Sequence, residues 1–200
     1  MICHEYKTIY SHIPKTGGTS VECMFGFVKY NPKYKSMREM GSGEKHWTIK
    51  KYQENYPEEF KTYYKWTIVR NPWEKDLSLY NMLKFRKPFE HLNFKSFLKE
   101  FLIPQLKQGS ESPMIANQID FLFIDGLNVM NKVVRFEKMK DQWIELCDKI
   151  NKPQEPMIHL RNTPKKQIQE DYDQECIDII TQLRKKDIEY FNYKLPEALR

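Results

Sequence analysis

At 200 residues and 24.3 kDa the chain is long enough for one well-buried core and short for two, because domains commonly run about 100 to 150 residues. A single domain over residues 1–200 is therefore the expectation. The 33 Lys and Arg outnumber the 27 Asp and Glu for a formal charge of +6 and a pI of about 9.0, which favours anionic partners such as nucleotides or sulfated sugars. The basic residues are interleaved with acidic ones and form no zinc-finger spacing, basic zipper or RNA-reading aromatic signature, which argues against nucleic acid.

The four cysteines, Cys3, Cys23, Cys147 and Cys176, are far apart and make no CxxC pair, so neither a metal knuckle nor a disulfide framework is expected. Residues 1–20 hold no apolar signal core, and no run approaches the roughly 18 apolar residues of a membrane span. The expectation is a cytoplasmic protein with no stable membrane insertion.

Residues 7–12, rich in β-branched and aromatic side chains, predict a strand running into Pro14. A helix is expected from about Gly18, striped by Val21, Met24 and Phe25, and then Asn31-Pro32, Gly41 and Gly43 mark a long polar connection. Trp47, Ile49 and Tyr52 predict a short amphipathic helix, and residues 64–69 a largely buried strand. Asn71-Pro72 stops that strand, and from Glu74 the spacing of Leu77, Tyr80 and Leu83 is helical with an acidic first turn. Beyond it the pattern predicts a helix over 94–102, strands over 121–124 and 132–136, and a helix striped by Met139, Trp143, Leu146 and Ile150 that ends before Pro153 and Pro156. A basic loop over 159–166 precedes a last helix over 174–191, striped by Cys176, Ile180, Leu183 and Ile188. Alternating strands and helices predict an α/β fold: a three-layer α/β/α arrangement on a central, mostly parallel sheet, with ligands at the carboxyl ends of the strands.

Two such strand ends carry anion-binding chemistry. After the first strand, Pro14-Lys15-Thr16-Gly17-Gly18-Thr19-Ser20 combines paired glycines, which let backbone N–H groups approach an anion, with the Lys15 charge and the hydroxyls of Thr16, Thr19 and Ser20. The plainer reading is a capped strand-to-helix junction. The ATP-binding loop GxxxxGK[ST] puts its glycines before the lysine, whereas here they follow it, so a standard Walker A is absent. After the second strand, Arg70 offers a planar fork suited to phosphate, and Ser78, about two helical turns on, a hydroxyl; the plainer reading of Arg70 is a structural ion pair. Together the two sites predict a ligand with two separated phosphates.

The segments IYSHIPKTGGTS, TIVRNPWEKDLSLY, VVRFEKM and YDQECIDIITQLRKKDIEYFNY resemble the sulfotransferases that use 3'-phosphoadenosine-5'-phosphosulfate, most closely the carbohydrate type that includes the uronyl 2-O-sulfotransferases. The likeness runs from residue 8 to 193 and implies the P-loop-like sulfotransferase fold. It implies that Lys15, Thr16, Gly17, Gly18, Thr19 and Ser20 bind the 5'-phosphosulfate side, that Arg70 and Ser78 hold the 3'-phosphate, and that Arg161, Thr163 and Lys166 of IHLRNTPKK add nucleotide contacts, with no metal. Lys15 would then stabilise the charge that builds on the bridging oxygen as the sulfuryl group leaves.

Transfer to a hydroxyl also needs a base. His46 fits by its ordinary pKa and by its place 24 residues before Arg70 (70 minus 46), similar to the catalytic histidine of the 2-O-sulfotransferases. His12 is expected to support the site from behind, Glu44 and Glu137 are alternative bases, and Trp73 lines either an acceptor groove or the core. The chain lacks the membrane anchor of the animal carbohydrate enzymes and is much shorter, which points to a glycan precursor, lipid-linked sugar or small metabolite as the hydroxyl acceptor. The product would be adenosine 3',5'-bisphosphate. The rival readings are a nucleotide-dependent kinase or phosphoryl transferase of related fold, which should show a Walker A lysine and carboxylates for magnesium, and a nucleotide-binding module without turnover or a partner subunit using the basic face.

Overall fold

The computed structural model describes residues 1–31, 36–39, 44–156 and 168–200. The chain forms two compact units, each assembled from two stretches: Met1–Val69 with Asp120–Asn162, and Arg70–Ile119 with Thr163–Arg200.

The first unit is organised by a four-stranded sheet of β1 (Ile2–Cys3), β2 (Thr8–Ser11), β5 (Tyr64–Val69) and β8 (Lys132–Arg135), in that order. The short edge strand β1 pairs antiparallel with β2, and β2, β5 and β8 run parallel. The expected mostly parallel sheet is therefore present, flanked by helices. Register puts Tyr10 opposite Trp66 and Ile68 opposite Val134, and the Tyr10 and Trp66 rings stack with centroids 4.3 Å apart.

Because side chains alternate along a strand, Tyr10, Trp66, Ile68 and Val134 share one face. There they bury Val21 and Met24 of α1 (Gly18–Met24) and Trp143 and Leu146 of α7 (Met139–Lys149). Ile9 and Ile2 serve the other face, against Ile49 and Tyr52 of α2 (Ile49–Asn55). A further short helix, α3 (Pro57–Thr62), leads into β5.

Two expectations for this unit change. The polar connection after α1 contains an antiparallel pair, β3 (Val28–Asn31) with β4 (Ser36–Glu39); four-residue strands are too short for an alternation to stand out, and Asn31-Pro32 reads as a stop. The strand expected over 121–124 is a 3₁₀ turn, Ile119–Phe121, followed by β6 (Phe123–Ile124), which folds back on β7 (Leu127–Asn128). Asp125 and Gly126 both have positive φ, 49° and 81°, as a tight hairpin turn requires.

The second unit is helical. In α4 (Pro72–Leu83) the Asn71 side chain caps the Trp73 N–H at 3.2 Å and Pro72 occupies the first helical position. The segment from Phe94 is helical for longer than expected: α5 (Phe94–Ser96), a π-helical stretch Phe97–Leu102, and α6 (Ile103–Lys107). A one-turn α8 (Ile168–Asp171) precedes the last helical region, which is not one helix but two, α9 (Gln174–Leu183) and α10 (Lys185–Tyr190). The break falls at Arg184, whose side chain is fully buried and doubly hydrogen-bonded to Asp76. Trp73 belongs to this core: it is buried, its indole N–H donates to the Ile177 carbonyl, and Tyr172 donates its hydroxyl hydrogen to the Trp73 carbonyl.

Candidate active site

The loop that leaves β2 is held by its own hydrogen bonds. Thr16 is fully buried and its hydroxyl donates to the Ile13 carbonyl at 2.8 Å, while the Ser20 N–H donates to the Gly17 carbonyl at 3.0 Å. Thr16 thus spends its hydroxyl on the loop and has its backbone to offer a ligand. Lys15, Thr19 and Ser20 are half-buried.

Each glycine of the pair has a reason to be glycine. Gly17 has φ +84°, and a Cβ there would stand 3.0 Å from the Phe136 ring; a Cβ on Gly18 would lie 2.1 Å from the Cδ2 and Nε2 of His12. Gly18 therefore makes room for an imidazole as well as for a close approach of backbone.

That imidazole is tied down. His12 is buried, and its Nδ1 lies 2.7 Å from Oε1 of Glu22, itself buried on α1. A carboxylate only accepts, so Nδ1 carries the hydrogen. Burial, outweighing the pull of Glu22, lowers the His12 pKa, whereas Glu22 stays below the usual carboxylate range although burial opposes it, because His12 and Lys45 favour its charge. The Lys45 ammonium is 3.8 Å from the second Glu22 oxygen.

His46 sits directly against this pair. Its Nδ1 is 3.0 Å from the His12 carbonyl and the two rings are 4.4 Å apart. A carbonyl likewise only accepts, so His46 holds its hydrogen on Nδ1 and leaves Nε2 as a bare acceptor. Burial, then the neighbouring His12, lowers its pKa to about 4 from the ordinary 6.5. The segment carrying His46 is anchored to β2 by the Ser11 hydroxyl, which donates to the Trp47 carbonyl at 2.9 Å.

Lys15 and His46 also share a backbone property, with φ of 70° and 65°. Left-handed backbone at residues other than glycine, asparagine and aspartate costs about 1–3 kcal/mol and persists only where the surroundings enforce it. Lys7, in the turn between β1 and β2, is left-handed too, and Asp125, Asn151 and Asn192 are types that, like histidine, adopt this region more readily.

The alternative bases are placed differently. Glu44 is buried, accepts a hydrogen bond from the Tyr56 hydroxyl, and uses its carbonyl for the Tyr52 hydroxyl; Glu137 is exposed on the 3₁₀ turn Phe136–Lys138.

In the second unit, Arg70, Glu74 and Ser78 follow one another at four-residue intervals, which aligns them on one side of α4 and its entry. The Arg70 guanidinium pairs with Glu74 at 3.5 Å, and Ser78 is nearly buried. Arg161, Thr163 and Lys166 lie outside the described residues. Sequence reasoning missed Glu22, Lys45 and Gln118: nothing in a one-dimensional pattern pairs position 12 with 22, or 70 with 118.

A mostly parallel sheet flanked by helices carries an imidazole pair and a lysine-bearing glycine loop at the end of β2. Residues 1–194 match the model of the sulfotransferase family, and the chain belongs to that family, as a family 2 sulfotransferase that moves sulfuryl groups. None of the curated proteins and none of the solved structures matches it.

Proposed function

We propose that this enzyme carries a sulfuryl group from 3'-phosphoadenosine-5'-phosphosulfate to a hydroxyl of a carbohydrate or glycan precursor, leaving adenosine 3',5'-bisphosphate. The observation that carries this reading is the state of His46: neutral, with its hydrogen committed to the His12 carbonyl and Nε2 bare, three residues in chain from the carbonyl it binds to Lys15. The bound donor supplies an electrophilic sulfur with a phosphate leaving group. His46 Nε2 takes the acceptor's proton as the acceptor oxygen bonds to sulfur. Lys15 neutralises the negative charge that appears on the 5'-phosphate oxygen when its bond to sulfur breaks.

The N–H groups of Thr16, Gly17 and Gly18, with the hydroxyls of Thr19 and Ser20, hold the 5'-phosphosulfate. The Arg70 fork and the Ser78 hydroxyl take the 3'-phosphate, with Glu74 giving way as Arg70's partner. Arg161, Thr163 and Lys166 are assigned nucleotide contacts on sequence alone. The four cysteines are free thiols, which supports a reducing, cytoplasmic setting.

Incubation with sulfur-labelled donor and a panel of glycans, lipid-linked sugars and small alcohols tests the reading. Label should reach an acceptor hydroxyl without ATP or magnesium. Phosphate transfer from magnesium–ATP in place of sulfuryl transfer would establish the phosphoryl-transferase alternative, and nucleotide binding with no transfer to any acceptor the non-catalytic one.

A further inference from the structure

We infer that Gln118 is a positioning residue for Arg70, and that the Arg184–Asp187 turn locks it in place, so that these buried groups set how strongly the enzyme favours nucleotides bearing a 3'-phosphate. The inference rests on the proposed role of Arg70 and deepens it.

Gln118 is fully buried and grips Arg70 by its backbone. Its Oε1 accepts the Arg70 N–H at 2.7 Å and its Nε2 donates to the Arg70 carbonyl at 2.8 Å. A side-chain amide that satisfies both backbone groups of one residue fixes that residue's φ and ψ, as a neighbouring strand would. What it fixes is the point from which the guanidinium springs, one residue beyond the end of β5.

Gln118 is itself held. Its N–H donates to Asp187 Oδ2 at 2.9 Å and the Ile119 N–H to Oδ1 at 3.0 Å, so one buried carboxylate spans two successive amides. Three residues earlier, the Arg184 guanidinium gives Nε and one Nη to the two oxygens of Asp76, at 2.7 and 3.1 Å, and its other Nη to the Ile115 carbonyl at 2.7 Å. Asp76 lies on α4 two residues before Ser78.

Arg184, at the break between α9 and α10, and Asp187, in the first turn of α10, thus bind the 115–119 segment that grips Arg70 and also the helix that carries Ser78. Lys75 lies 3.7 Å from the same Asp76 carboxylate, and burial works against charge on both Lys75 and Asp187. The Arg70 guanidinium itself lies 3.5 Å from Glu74.

The test is calorimetric titration of the intact enzyme with adenosine 3',5'-bisphosphate and with AMP, for wild type, Gln118→Met, Arg70→Ala and the double variant, with Gln118→Glu as a second substitution that keeps the acceptor and loses the donor. Losing the two hydrogen bonds should weaken the bisphosphate about tenfold and AMP less than twofold. In the Arg70→Ala background the Gln118 substitution should add nothing to the discrimination.

Equal weakening of both nucleotides, or discrimination unchanged in the Gln118 variants, overturns the inference and leaves the proposed function standing. If Gln118→Met does not fold, Gln118→Glu gives the same comparison. A wild type that binds AMP as well as the bisphosphate removes the 3'-phosphate subsite and the inference with it.

Discussion

Around Lys15 and His46 two non-glycine residues hold a left-handed backbone and burial pushes both imidazoles toward neutrality, whereas from Arg70 to Ser78 no residue has a positive φ and the surroundings are buried ion-paired side chains, Arg184 with Asp76 and Lys75 beside them. The first arrangement suits a proton acceptor, since an imidazole that is uncharged and held by one nitrogen presents the other to a substrate. The second suits a permanent cation, because a guanidinium keeps its charge under any burial and gains from being aimed. On the roles proposed for them, the His46 site joins left-handed backbone to the His12–Glu22 pair, whereas Arg70 is held by the Gln118 amide.

The sharpest way to break this contrast is at His46. His46→Ala should lower the rate of transfer by about 10²–10⁴, measured by single-turnover assay, with bisphosphate affinity little changed; loss of binding in step with rate would mean the imidazole holds the ligand instead. Lys15→Ala should cost about 10²–10³ in turnover, as expected for removing one donor to a developing oxyanion, and a near-normal rate would remove Lys15 from the leaving-group role.

Gly18→Ala probes the constraint itself. Its Cβ would meet the His12 ring at 2.1 Å, and an overpacked buried site costs about 1–3 kcal/mol, read as a lower melting temperature. An unchanged melting point would show that the ring moves aside at no cost.

The smallest effect is on stability in acid. His46 and His12 have folded pKa values below their ordinary ones, so the unfolded chain binds more protons between the two values and acid favours unfolding. Stability should be full above about pH 6.5 and fall as the pH drops toward about 4, less steeply in His46→Ala than in wild type.

How far these features could be read in advance depended on their range along the chain. The β2 strand, the glycine loop, the strand Tyr64–Val69 and the capped helix after Asn71-Pro72 are local patterns with strong punctuation, and each lies where the sequence places it. The β6–β7 hairpin had its signal too, Asp125-Gly126, but two-residue strands leave no alternation to see beside it. The break at Arg184 was not legible, because Lys, Arg and Asp in a helical stretch read as an exposed face, and only the contact with Asp76, 108 positions away, shows the side chain to be interior. The same holds for Glu22 behind His12 and Gln118 behind Arg70, whose meaning arises from packing alone.

The most direct test of the account is the pH dependence of single-turnover sulfuryl transfer by the wild-type enzyme, compared with His46→Ala. A neutral His46 acting as base predicts an acid limb well below the ordinary 6.5, toward about 4, that disappears in the variant. A limb at 6.5, or the same profile in both proteins, would contradict it.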